Sequence, residues 1–192
     1  MKKEEKLQLT KDKLLDATYE LMEEAADPMA VTSREIAARA DVKPAMINYC
    51  FGSREQLIYE VFRKQYLNFL KDRDAESIIN SDLPPKEVLK KLHFAVADCL
   101  TKNHKFTQAI TGFVLFKRDL SQESFSYGYV KKHYGDKKTD EECRLIAYEL
   151  STMMQLIIYR KEDIRRDFGI DLDDEEQLRH YIDMRVDLLL GT

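Results

Sequence analysis

Residues that interrupt helices are scarce in this chain, which has six Gly and four Pro among 192 residues and no Trp. Since 44% of the residues are hydrophobic and 34% are charged, the composition is typical of a mostly helical protein with a sizeable core. Long apolar runs are also missing, because none approaches the roughly 20 residues that cross a bilayer. The opening stretch, MKKEEKLQLTKDK, lacks the apolar centre of a signal peptide. We therefore expect a cytoplasmic protein that does not enter a membrane.

Clustered metal ligands and catalytic motifs are absent from the sequence as well. The three cysteines, Cys50, Cys99 and Cys143, are odd in number and far apart, which is typical of reduced thiols and not of a zinc site. The four His are scattered, and the sequence contains no Gly-rich phosphate loop or nucleophile motif. We expect no metal, no cofactor and no enzymatic activity.

An excess of positive charge is the third absence. The formal net charge is −4, and residues 1–54 carry nine Lys and Arg against ten Asp and Glu. A strong sequence-independent nucleic-acid binder normally shows a basic excess. Any affinity for DNA must therefore come from the local placement of a few basic residues.

The most informative stretch that is present runs from 32 to 56, TSREIAARADVKPAMINYCFGSREQ. Thr32 and Glu35 have the spacing of a capping box that begins a short helix. Pro44 stands where the first turn of a second helix tolerates proline, and Gly52 ends that helix. Two short helices across a tight turn predict a helix-turn-helix, which places its second helix in the major groove of DNA.

This stretch resembles the TetR-type bacterial transcription regulators, and the preceding amphipathic segment, 10–25, resembles the first helix of that family. In two places the sequence departs from the family pattern. Asp41 stands where the turn usually has Gly, and Lys43 stands where Ser or Thr usually caps the recognition helix. Asp tolerates the left-handed conformation better than most residues, so we expect the turn to survive. The residues that carry the resemblance are Thr32, Ile36, Ala37, Ala40, Val42, Tyr49, Phe51, Gly52, Ser53, Arg54, Glu55 and Leu57.

The resemblance implies an all-α fold with an N-terminal three-helix DNA-binding domain and a C-terminal helical domain for ligand binding and dimerisation. We place the first domain at 1–52, with the helix-turn-helix at 32–51, and the second at 53–192. The apolar periodicity predicts the further helices at 53–72, 86–102, 105–118, 139–163 and 173–190, with a second capping box at Thr139 and Glu142 and with Asp173 as the cap of the last helix. The segment 121–134 alternates like a strand, but a lone strand would have no partner, so we expect a helix there as well.

The last two predicted helices carry the pattern of an interface. Apolar residues cover nearly the whole circumference of 145–159, and a helix of this kind is buried on two sides. In proteins of the TetR type the last two helices form a four-helix dimer interface, so the resemblance implies a homodimer. The alternative is a central core helix in a monomer. A two-fold dimer would match a palindromic operator in double-stranded DNA.

The candidate DNA-binding residues fall into two groups. Ala45, Met46 and Asn48 lie opposite the packing face of the second helix and are expected to contact base edges. Tyr49 matches a position where the family contacts phosphate or base edges. The expected phosphate contacts are Thr32, Arg34, Lys43 and Arg54. Without the motif, all of these would be taken as a solvated helical surface.

Candidate ligand-binding residues are His93, Phe106, Phe113, Glu149 and Thr152. Each has a structural alternative, because an isolated His or an aromatic stripe on an apolar face usually belongs to the core, and Glu149 or Thr152 can form a hydrogen bond across a dimer interface. The resemblance implies a repressor that an unknown small-molecule effector releases from DNA. Two alternatives stay open: a DNA-binding protein regulated by a protein partner, and a helical interaction module that has lost DNA binding.

Overall fold

The computed structural model describes residues 3–72, 75–120 and 124–191. The described residues form helices and no strand, so the all-α prediction is confirmed. Short 3-10 turns lie at Pro28–Ala30 and Gly135–Lys137. The α-helices are α1 (Lys3–Glu24), α2 (Ser33–Arg39), α3 (Ala45–Phe51), α4 (Arg54–Asp72), α5 (Ala75–Ile79), α6 (Pro85–Lys102), α7 (His104–Phe116), α8 (Tyr127–Tyr134), α9 (Asp140–Tyr159), α10 (Lys161–Phe168) and α11 (Glu175–Leu190).

The N-terminal head consists of α1, α2 and α3, which pack against one another around fully buried apolar side chains. The predicted capping box begins α2: the Thr32 hydroxyl accepts from the Glu35 amide at 3.3 Å, and the Glu35 carboxylate accepts from the Thr32 amide at 2.8 Å. Asp41 occupies the turn with φ 54°, in the left-handed region, as expected for a residue that replaces Gly. The structure therefore has the helix-turn-helix predicted from the sequence.

Helix α4 connects the head to the body. It packs against α1 and α3 at the head and against α6 and α7 in the body. Its residues Leu57, Ile58 and Val61 are buried in one continuous core. In that body α6 is central, because it contacts α4, α5, α7, α8, α9 and α11. None of the helices in the described ranges combines the length and the apolar character that crossing a bilayer requires.

Several predicted helix boundaries were wrong. Helix α1 begins at Lys3 and not near residue 10, and the short helix α5 was not predicted. Of the segment 121–134, helix α8 covers only the last eight residues, and 121–123 lie outside the described residues.

The single helix expected at 139–163 is divided into α9 and α10 at Arg160, which has φ −98° and ψ 18° and donates its amide to the carbonyls of Ile158 and Leu156. The predicted cap Asp173 is also wrong, because its carboxylate pairs with the Lys161 amine, and Asp174 caps α11 instead.

Candidate nucleic-acid interface and ligand cavity

Helix α3 presents one face to the head and the other to solvent. Ile47 is fully buried, whereas Ala45, Asn48 and Tyr49 are exposed, Tyr49 with 65% of its surface accessible. Residues 45, 48 and 49 share one face at helical spacing and can reach base edges in a major groove. Met46, which was predicted to face base edges, is half-buried and packs against the head core, so it is less available for that contact.

Two of the predicted phosphate contacts are exposed beside this face. Lys43 precedes α3, and Arg34 lies in the first turn of α2. A flexible cation at such a place can approach a phosphate without disturbing the packing of the head.

The other two predicted phosphate contacts have structural partners. The Thr32 hydroxyl donates to the Glu35 carboxylate at 2.7 Å, so its one proton is already used. The Arg54 guanidinium donates to the carbonyls of Met29 and Val31, at 2.9 and 2.6 Å. Arg54 therefore anchors the start of α4 to the segment before α2, and the structure gives it a role different from the predicted phosphate contact.

Part of the acidic charge of the head is neutralised internally. Arg39 forms ion pairs with Glu20 at 3.1 Å and with Glu24 at 2.8 Å, which joins α2 to α1. The hydrogen bond from Arg39 lowers the pKa of the Glu24 carboxyl. These carboxylates contribute less repulsion to a DNA phosphate than the bare count of charges suggests.

A cavity of about 350 Å³ lies in the body between α4, α6, α7 and α9. Its walls are mostly apolar, and Thr152, one of the ligand candidates from the sequence, is among the polar residues that line it. Gln155 on α9 donates to the Thr111 hydroxyl on α7 at 2.9 Å, and the hydroxyls of Ser124 and Ser151 lie 2.8 Å apart. The size and lining are typical of a small-molecule site.

Phe106 and Phe113 line two other recesses, which corrects the expectation of one common site. Phe106 borders a recess of about 220 Å³ beside α1, where its ring stacks on Tyr19 at 6.1 Å. Phe113 borders a cleft of about 580 Å³ where the head meets the body. That cleft is larger than the body cavity, and Phe116 on its wall is 83% exposed. Both are open to solvent, and the body cavity differs in being lined by α4, α6, α7 and α9 together.

The two remaining ligand candidates do not line the body cavity. His93 is fully buried, and its Nε2 lies 2.8 Å from the Ser126 hydroxyl, so it links α6 to the start of α8. Desolvation lowers its pKa to about 4. Glu149 is exposed on the opposite side of α9. It lies at helical spacing from Leu145 and Met153, on the face that a dimer would cover.

Helices α9 and α11 carry several large apolar side chains that the described chain leaves exposed. They are Leu145, Met153 and Leu156 on α9, and Met184 and Leu188 on α11. These five residues are called the exposed apolar face. The buried sides of the same helices pack on α6 and on each other.

Arg118 is a cavity residue that sequence reasoning missed. It follows the end of α7, and its side chain borders the body cavity. The sequence gives no local signal for it, because Arg118 lies in a mixed polar stretch and its surroundings come from three helices distant in sequence.

Comparison with known proteins agrees with this architecture. A family model described as bacterial regulatory proteins of the tetR family matches residues 14–61. Among solved structures, the chain is similar to a TetR-like transcriptional regulator from Rhodococcus sp. RHA1. The two share 16% sequence identity with a TM-score of 0.50, over 95% of this chain and 97% of the other. No curated protein matches the chain.

Proposed function

We propose that the chain is a DNA-binding transcriptional regulator of the TetR type, and that it is a repressor released from its operator by a small molecule. The match of a tetR-family model to residues 14–61 supports the first part of this proposal. The observation that carries this proposal is the position of α4. Its first residue, Arg54, is hydrogen-bonded to the head, and Tyr59, Phe62 and Tyr66 further along line the body cavity. One helix therefore contacts the head and also lines the cavity.

The mechanism follows from that shared helix. A ligand that fits only one position of α4 favours the corresponding position of the head, and DNA favours another. Each then weakens the binding of the other by the same factor. In this proposal the head (1–52) and the body (53–192) are separate domains that communicate through α4.

A homodimer is part of the proposal. The exposed apolar face would be covered by the same face of a second copy, which brings α9 and α11 of both subunits into a four-helix interface. Two recognition helices related by a two-fold axis would then contact successive major grooves of a palindromic operator. Within each head, Ala45, Asn48 and Tyr49 would contact base edges, and Arg34 and Lys43 would contact phosphates.

The second candidate function is regulation by a protein partner without a small-molecule inducer. The exposed Phe116 at the junction of head and body favours it, because such a side chain can be covered by another protein. The cavity inside the body favours the small molecule, since a protein partner would not need it.

Selection from a pool of random duplexes, sequenced after binding at two salt concentrations, tests the DNA-binding part. We expect one enriched palindrome whose affinity falls steeply with salt, because the contact with phosphate releases counterions. No enrichment at either salt would reject sequence-specific binding. With the operator known, each compound that binds the protein is then measured with and without operator, and equal affinities in both states would reject the release mechanism.

A further inference from the structure

Arg118 lies at the wall of the body cavity, just after the end of α7. Its amide donates to the Phe113 carbonyl at 2.9 Å, which fixes the backbone just after α7. Its side-chain Nε is buried and finds no hydrogen-bond partner within the described ranges. A buried guanidinium nitrogen without an acceptor is costly, and a water molecule cannot reach this one. A small shift of the Arg118 side chain toward an acceptor brought into the cavity by a ligand would recover that cost.

The charge around the cavity is of one sign. The described residues that line it include two cations, Arg63 and Arg118, and no Asp or Glu. Arg63 is exposed and pairs with Glu60 at 2.8 Å, so its charge is already balanced. Among the described residues that line the cavity, Arg118 is therefore the cation without an acidic partner.

A second cation lies close on the far side of Arg118. Arg144 on α9 borders, with Arg118, a small recess of about 60 Å³ that also has no described acidic residue in its wall. The Arg144 guanidinium lies 4.5 Å from the centre of the Tyr127 ring. Arg144 also forms an ion pair with Asp140 at 3.7 Å, so its charge is balanced in the same way as that of Arg63. Of the cations around the two recesses, Arg118 is therefore the one that we assign to an anion.

Several other polar groups of the cavity have partners within the protein. Gln155 donates to Thr111, and Ser124 and Ser151 bond to each other. Thr152 is a further, neutral polar residue, and most of the remaining lining is apolar or aromatic, including Phe62 and Tyr66 on α4. The ligand that matches this wall has an apolar body and one anionic group.

We propose that the body cavity binds a small molecule with an aromatic body and a single carboxylate, and that Arg118 binds this carboxylate. The inference rests on the proposed function, because it names the class of effector for the same cavity. The planar guanidinium can donate two parallel hydrogen bonds to a carboxylate, which a neutral amide of the same shape cannot accept in that form.

Calorimetric titration with 2-naphthoate and with 2-naphthamide tests the inference, because the two probes have the same ring system and differ in charge. The unaltered protein should bind the acid about tenfold or more tightly than the amide. Arg118→Gln should remove this preference, and Arg118→Lys should retain part of it through charge alone. Arg63→Gln is the matched control, since it removes one exposed positive charge at the same cavity and should keep the preference. Thermal melting of each variant verifies that it is folded.

Three results would overturn the inference: equal binding of acid and amide, an unchanged preference in Arg118→Gln, or no binding of the acid. Operator binding by the same preparations separates this failure from that of the proposed function. If neutral aromatic compounds bind and release the operator, the anion assignment fails and the release mechanism stands. If the acid binds with a preference that depends on Arg118 while the operator stays bound, the assignment stands and the release mechanism fails.

Discussion

The buried side chain of His93 makes the stability of the body depend on pH. Burial lowers its pKa to about 4, whereas an unfolded chain has the ordinary value near 6.5. Between these values the unfolded state binds a proton that the folded state does not, so protonation favours unfolding. The free energy of unfolding should therefore fall as the pH drops from about 6.5 to about 4, by roughly 3 kcal/mol from this residue.

Urea unfolding at a series of pH values measures this contribution. In His93→Gln, which keeps a group able to bond to Ser126, the decrease below pH 6.5 should be smaller. His180→Gln is the control, because His180 is exposed and its loss should leave the profile unchanged. Parallel profiles for the unaltered protein and His93→Gln would contradict the prediction.

Asp41 tests whether the turn of the helix-turn-helix stores backbone strain. Its φ of 54° is costly for a side chain with a Cβ and costs glycine little. Asp41→Ala should lower the free energy of unfolding by about 1 kcal/mol relative to Asp41→Gly. Chemical denaturation of the two variants gives this difference directly, and equal stabilities would show that the turn tolerates any residue.

The conformation and contacts of a single residue could be predicted only where they depend on its neighbours in sequence. The left-handed turn at Asp41 follows from the residue type and its neighbours. The partner of His93 is Ser126 on another helix, and the unpaired nitrogen of Arg118 depends on which groups from distant segments surround it. Neither a hydrogen bond across 33 positions nor a missing one is visible in a sequence pattern.

At the scale of elements, the start of α4 depends on Arg54, whose two hydrogen bonds join it to the segment before α2. Arg54→Gln should lower the free energy of unfolding by about 2 kcal/mol, because two charged hydrogen bonds to backbone carbonyls are lost. Arg34→Gln removes the same charge from an exposed position and should change stability by less than about 0.5 kcal/mol.

Operator binding should respond to the same two variants in the opposite order, with the larger loss of affinity in Arg34→Gln. Arg34→Gln should weaken binding at low salt and reduce the salt slope by about 1, as expected for one lost phosphate contact. A loss of stability in Arg34→Gln as large as in Arg54→Gln would show that the two arginines have been assigned the wrong roles.

The start of a helix could be predicted where residues close in sequence form its cap. Both capping boxes, Thr32 with Glu35 and Thr139 with Glu142, lie where their spacing predicts them. The break at Arg160 has neither Gly nor Pro, and only the packing of the following segment, with Ile164 and Leu172 buried, redirects the chain there. Tertiary packing can override helix propensity in this way, which is why the single helix expected at 139–163 was wrong.

At the scale of the whole molecule, the exposed apolar face predicts assembly. Leu188 is 69% exposed, so Leu188→Glu should leave the fold of one chain intact while placing an uncompensated charge in the dimer interface. We expect a dimer for the unaltered protein and a monomer with much weaker operator binding for the variant, measured by sedimentation. Ile79→Glu, an equal change at an exposed residue on α5, should remain a dimer. A monomeric unaltered protein would reject the dimer interface proposed for this face.

The two sides of helix α9 face different surroundings. Its Ser151, Met154 and Gln155 line the cavity, while Leu145, Met153 and Leu156 lie on the exposed apolar face, about one helix diameter, or 10 Å, away. If the exposed apolar face forms the proposed dimer interface, substitutions on α9 that are meant to change the ligand will also affect the packing between subunits. Val96 and Leu100 on α6 line the same pocket without belonging to that face. Substitutions at these two positions on α6 should therefore change ligand preference without changing the exposed apolar face.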